Sequence, residues 1–166
     1  MFDASLSDAD RLARALGAMA ALAELRGRPA DVLPRLLAEL KDACGADGLA
    51  FERREGDELV HVATVGSFAT LVGSRGGVTG SLGGSALLSR NVALAPDTMT
   101  DPRVDRSLCL RTESAALVAI PVDVSGTPAG VLMAGWSTPH GYSDAAGNQR
   151  RIGAGNRAAS VARTVR

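Results

Sequence analysis

The chain has 166 residues, 46% of them apolar and 22% charged, a balance that fits one globular domain with an ordinary core. Its 18 basic and 18 acidic residues leave no net charge, so nothing draws the molecule as a whole to nucleic acid or to an anionic membrane. Two cysteines, Cys44 and Cys109, cannot build a secreted disulfide framework; with no apolar leader and no apolar run of membrane-spanning length, the expected location is cytoplasmic.

Taken in order, residues 7–27 predict a leading helix. Ser7 is its cap, Asp8 and Asp10 lie in its first turn, and Leu12, Leu16, Met19, Ala20 and Ala23 form one apolar stripe. Gly27-Arg28-Pro29 breaks the chain, and 30–44 reads as a second helix with Val32, Leu33, Leu36, Leu37 and Leu40 toward a core. Pro34 falls in its first turn and Gly45 ends it. Strands are expected at 48–53 and 58–65 around the polar turn Glu55-Gly56-Asp57. In the second, Leu59, His61, Ala63 and Val65 alternate with Val60, Val62 and Thr64, so both faces are apolar enough for the middle of a covered sheet. Residues 67–75 form a connector, and Gly76, Gly77 and Gly80 read as turn formers. A short helix at 85–90, a short strand at 92–95 and a loop with a helical turn at 96–107 follow. Strands at 115–124 and 127–137 are joined across Ser125-Gly126. Ser143-Asp144 opens a closing helix over 143–166, weakened by Gly147, Gly153 and Gly155. Its arginines at 150, 151, 157, 163 and 166, with no acid among them, read as a solvated face.

Several of these segments stand in a recognisable order. Gly80 to Asn91 is similar to G-x-x-G-x-A-L-x-x-G/N, Val92 to Asp97 to a short strand ending in P/x-D, and Asp101-Pro102-Arg103 to the D-P-R that follows it. Leu117 to Pro121 with Gly130 to Leu132 matches paired "V-P … G-V-L" strands, and Tyr142-Ser143 the start of a closing helix. In this the chain resembles the GAF family, small sensory domains that hold a ligand behind a sheet. The resemblance implies an α+β domain over 1–166: an antiparallel sheet of five or six strands, the first, second and last helices on one face, and a loop-covered cavity on the other. It also implies a homodimer through 7–27 and 143–166, and an output domain or partner signalling protein.

Chemistry is harder to place. With only His61 and His140 as histidines there is no metal-ligand spacing, and no serine sits in a nucleophile elbow, so no metal and no catalytic residue is expected. One branch of the GAF family reduces free methionine sulfoxide, and its G-V-C-G-x-C-A segment resembles Gly77 to Gly83. Both cysteine positions there are filled, by Thr79 and Leu82, and its substrate-binding carboxylates have no counterpart in 115–121 or 132–137. Cys109 lies near that branch's third cysteine, and reads first as a loop cysteine, second as a redox-reactive thiol. Bilin attachment is not expected, because Cys109 is followed by Leu110 and Arg111. His61 as a haem ligand ranks below a hydrogen-bonded core histidine, and no cofactor is predicted. The N-K-x-F-D-E pattern of cyclic-nucleotide GAF domains is missing from the sequence.

The ligand-site candidates are therefore Asp97, Thr98, Arg106, Cys109 and Arg111 on the polar loop, with Phe51, Phe68, Met133 and Trp136 as an apolar wall. Arg106 and Arg111 would favour a small anion. Met133 and Trp136 fall on opposite faces of a regular strand, so at most one of them lines a pocket. Asp101 and Arg103 are read as closing their own loop. The expected function is a sensory module that binds a small molecule and signals through a helical dimer interface, an anion being the ligand class these loop arginines could hold. A ligand-free dimerisation scaffold is the first alternative, and a degenerate reductase the second.

Overall fold

The structure is a computed structural model and describes residues 29–139. The expected helices at 7–27 and 143–166, and the dimer interface assigned to them, lie outside the described residues.

Helix α1 spans Pro29–Cys44. Leu33, Leu36, Leu37, Leu40 and Cys44 recur at helical spacing and pack on one face of the sheet, with Leu37 fully buried. Val32, expected among them, points outward and is 41% exposed. The helix begins one residue earlier than expected, so Pro34 is an interior residue rather than a first-turn one, and removes a hydrogen bond that a second-turn N–H would make. Gly45, at φ +67, turns the chain out of the helix.

Six antiparallel strands follow: β1 (Gly48–Glu55), β2 (Glu58–Gly66), β3 (Arg75–Gly77), β4 (Ala93–Ala95), β5 (Ala116–Val124) and β6 (Thr127–Trp136). Their order across the sheet is β3-β2-β1-β6-β5-β4. Gly76 and Gly77, expected in a turn, instead form most of the short edge strand β3 against Glu58 and Leu59. Ser125 and Gly126, both at positive φ, make the two-residue connection between β5 and β6 that suits the twist of a hairpin. Pro121 is tolerated inside β5 because it lies beyond Ala119, where pairing with β4 has ended.

The two faces of the sheet bury different cores. On the α1 face Leu49, Ala63, Val118, Ile120, Leu132, Ala134 and Trp136 meet the helix. On the other face Ala50, Leu59, Leu117, Ala119, Val131 and Met133 meet two short helices, α2 (Leu82–Ser89) and α3 (Arg106–Arg111), and the connector around Phe68. The long helix α1 thus lies on one face and the connections with their two short helices cover the other, as expected. The alternation in β2 also differs from the sequence reading. A register shift at Phe51/Glu52 leaves Val62 without a partner, so Leu59 and His61 face α2 while Ala63 and Val65 face α1. Among the described residues no helix is long and apolar enough to cross a membrane.

Candidate functional site

A cavity of about 400 Å³ opens between the sheet and the segments that cover its α2 face. Its floor is apolar, from Leu59, Phe68, Leu117 and Met133; its far walls are Gly76 to Gly83, the Pro102 to Asp105 loop, and Leu108 and Cys109 of α3. This size lies in the range that holds a small metabolite.

Local sequence explains how those walls are held. Phe68 seats its ring on β1 and β6 at Gly48 and Gly135, which are cross-strand partners. A Cβ at Gly135 would come 2.5 Å from Phe68 Cζ, so the missing side chains leave the space the ring occupies. The turn into α2 is closed by Ser81, whose hydroxyl accepts from the Gly84 N–H at 3.0 Å. Gly84 has no room for a side chain, because its Cβ would overlap the Val78 carbonyl. Arg103 grips the Asp101 carboxylate with two nitrogens at 3.0 and 2.6 Å and donates to the Leu94 carbonyl at 2.8 Å, while its own carbonyl accepts from the Leu82 N–H. The D-P-R segment therefore closes on itself and also ties β4 to the start of α2. Asp105 caps α3 by accepting from the Ser107 and Leu108 N–H groups.

The polar feature of the cavity wall is an ion pair that the sequence reading did not single out. Glu52 and His61 are cross-strand partners at the β1–β2 bulge, are 5% and 8% exposed, and approach to 3.1 Å between Oε1 and Nε2. On its other side His61 Nδ1 faces the Ser74 carbonyl at 3.3 Å and the Ser74 hydroxyl oxygen at 3.1 Å. The Ser74 hydroxyl already donates its proton to the Leu71 carbonyl at 2.6 Å. Both ring nitrogens thus face oxygen atoms that can accept, an arrangement that favours the imidazolium. Burial opposes that charge, but the hydrogen bond and charge of Glu52, with the Ser74 carbonyl, outweigh it and raise the His61 pKa above its ordinary value.

Ser74, His61 and Glu52 make a linear constellation that superficially matches a nucleophilic triad. Its proton positions argue otherwise. The Ser74 hydroxyl is directed to the Leu71 carbonyl at 2.6 Å, and the raised pKa of His61 favours its charged form, which accepts no proton, so His61 is poorly suited as a base toward Ser74. Ser74 also lies outside the cavity lining. The chain of contacts is instead a mechanical link from the cavity wall, through His61, to the connector that carries Phe68 and Leu71.

Of the nine candidates from the sequence, the structure brings three to the cavity: Phe68, Cys109 and Met133. Trp136 and Phe51 pack on the α1 face, on strand positions of the opposite parity to the cavity-facing Met133 and Glu52. Asp97 is exposed and caps its own turn through the Met99 N–H at 2.9 Å. Thr98 is buried behind Cys109, where it donates to the Ser114 carbonyl at 2.8 Å rather than facing a ligand. Arg106 and Arg111, the proposed anion contacts, bound the six-residue α3, are exposed, and do not line the cavity. The arginines that do reach its rim, Arg75 and Arg103, are paired with Glu55 and Glu58 and with Asp101. Cys109 is a buried thiol whose pKa burial pushes up, with the Thr98 hydroxyl pulling the other way. It is therefore held as the thiol and not as a thiolate nucleophile. Among the described residues no group of three or more His, Cys, Asp or Glu side chains is arranged to hold a metal ion.

The architecture is that of a GAF domain. No protein-family model matches the chain and no curated protein does. Solved structures do. The chain is similar to the A. aeolicus nlh2 GAF domain in an inactive state, with a TM-score of 0.65 at 15% identity over 93% of this chain and 97% of that one. It is similar to a putative GAF sensor protein from Burkholderia vietnamiensis, with a TM-score of 0.61 at 19% identity over 89% and 90%. It is also similar to the free methionine-R-sulfoxide reductase of Neisseria meningitidis in complex with its substrate, with a TM-score of 0.64 at 20% identity over 96% and 95%. Sensor domains and an enzyme share this fold, so the fold alone does not choose between them.

Proposed function

We propose that this chain is a regulatory GAF module that binds a small molecule in the cavity between the sheet and the α2–α3 face. The observation that carries the reading is the Glu52–His61 pair on the cavity wall. Filling an interior is achieved at least as well by apolar side chains of similar volume, because two buried charges lose their hydration. A charged pair retained beside an open cavity of about 400 Å³ fits recognition better than packing. The pair is linked through Ser74 to the connector around Phe68, so a ligand that disturbs it has a route to the cavity cover. Such a ligand would act as a signal to the extent that it binds one arrangement of that cover better than the other.

Binding is preferred over reductase chemistry on the state of Cys109. Thr79 and Leu82 stand where the reductase-like motif carries cysteines, and Cys109 is held protonated without a nearby resolving thiol in the cavity lining. Homodimerisation through residues 7–27 and 143–166 belongs to the same proposal, and sedimentation equilibrium of the full chain tests it. For the cavity itself the test is a fragment titration followed by amide chemical shifts. Shifts clustered on Phe68, Gly83, Leu108 and Met133 support the reading. Shifts scattered over the surface, or confined to the α1 face, refute it.

A further inference from the structure

Glu52 offers the cavity more than His61 uses. A carboxylate has two oxygens and about four acceptor positions, and His61 takes one position on Oε1. The second oxygen, Oε2, lies against Gly83, where a Cβ would sit 2.8 Å from it. Glycine at the start of α2 therefore lets the helix pack close against this oxygen without a side chain over it, and Glu52 is left among the residues that line the cavity. The remaining surroundings are apolar: Leu59 Cδ1 is 3.0 Å and Met133 Cε 3.6 Å from the same Gly83 position. The cationic groups of the lining do not offer themselves to an anion, since His61 is bound to Glu52, Arg103 to Asp101, and Arg75 to Glu55 and Glu58.

Resting on the reading of the cavity as a small-molecule site, we propose that Glu52 anchors the ammonium group of a small apolar amine whose hydrocarbon body lies against Leu59, Phe68 and Met133. This replaces the anionic ligand expected from Arg106 and Arg111. The ammonium donates to Glu52 Oε2 beside Gly83, and it shares the carboxylate with the protonated His61. Two cations on one carboxylate repel each other, so the amine binds more tightly once His61 has lost its proton. Through Ser74 that loss loosens the hold on the connector at Leu71. The other charged or titratable side chains in the cavity lining are Arg75 on β3, Arg103 and Asp105 before α3, and Cys109 on α3. The Asp105 pKa is lowered and the Cys109 pKa raised. Between about pH 6.5 and 8.5 those four keep their charge states, while His61, whose pKa is raised above its ordinary value, is the lining group that loses a proton as pH rises.

The test uses isothermal titration calorimetry on the full chain with three probes that share an aromatic body: phenethylamine, 2-phenylethanol and 3-phenylpropionate. At about pH 7.5 the amine is expected to bind at least about ten-fold more tightly than the other two, as a charge-assisted hydrogen bond in a desolvated site provides. The amine is also expected to tighten between about pH 6.5 and 8.5, as His61 loses its proton, while the alcohol does not change. Glu52→Gln is expected to remove the lead of the amine and leave the alcohol within about two-fold of its original affinity. If that variant fails to fold, the probe ranking and pH response of the native chain decide alone. Equal or tighter binding of the alcohol or the carboxylate overturns the role of Glu52 while leaving the cavity as a binding site. No binding by any of the three overturns both.

Discussion

Replacing Glu52 with Gln removes one partner of a buried ion pair, and its effect on stability should depend on pH in a definite direction. With His61 left charged and unpaired, loss of such a partner costs about 3–5 kcal/mol. His61 can shed its proton, however, and the cost then falls toward that of a lost buried hydrogen bond, about 1–3 kcal/mol. In the native chain the folded imidazole titrates above its unfolded value of 6.5. The pair's contribution is therefore complete below about pH 6.5 and fades as pH rises through the raised folded value. In Glu52→Gln burial acts without its counterweight, so the folded imidazole titrates below the unfolded value, and the variant gains stability as pH rises toward about 6.5. The penalty should be about 3 kcal/mol near pH 5.5 and about 1 kcal/mol near pH 8.5. Urea unfolding of both proteins at the two pH values, followed by fluorescence of the buried and sole tryptophan, Trp136, measures it. A penalty that is constant, or that grows with pH, would refute the assignment of His61 as a charged partner of Glu52.

Gly135→Ala places a methyl group on the Phe68 ring and should cost about 1–3 kcal/mol by overpacking; an unchanged urea midpoint would show that Phe68 is not seated there. Arg103→Ala releases the Asp101 and Leu94 contacts, and because the side chain is partly exposed the loss should be about 0.5–1.5 kcal/mol, read from the same urea transition. A gain in stability would mean that this pair strains the loop it closes. Cys109 should be alkylated more slowly than the half-buried Cys44 at about pH 8, as peptide mapping after iodoacetamide would report. Faster modification of Cys109 would reopen redox chemistry at this position.

Much of the fold is visible in the linear pattern. The Leu33, Leu36, Leu37 and Leu40 spacing marks α1, the apolar runs around Ser125-Gly126 mark β5 and β6, and the ordered glycine, D-P-R and V-P segments point to the GAF architecture. The site was less legible, for a geometric reason. Regular alternation through β2 would put His61 on the same face as Ala63 and Val65, whereas the bulge at Val62 turns Leu59 and His61 to the opposite face. Glu52 sits in a run of charged residues, Glu52-Arg53-Arg54-Glu55, yet Glu52 is buried while Arg53 and Arg54 near the strand end remain outside. The signal that points to the pair is a carboxylate two residues after the buried Ala50, on a strand joined by a short hairpin to one carrying a histidine. The loop arginines misled for the opposite reason: charge density in sequence said nothing about which way α3 turns, and its capping by Asp105 leaves Arg106 and Arg111 on the solvent side.

Native mass spectrometry compared with denatured mass tests small-molecule binding in the cavity most directly. It would be applied to the purified full chain and to a Leu108→Trp variant that fills the space beside α3. The account predicts a non-covalent mass increment on the native chain, from a molecule carried through purification or restored by adding phenethylamine, which disappears on denaturation and is missing from Leu108→Trp. Bare protein under both conditions and with 2-phenylethanol or 3-phenylpropionate added as well, or an increment that persists when the cavity is filled, would contradict it.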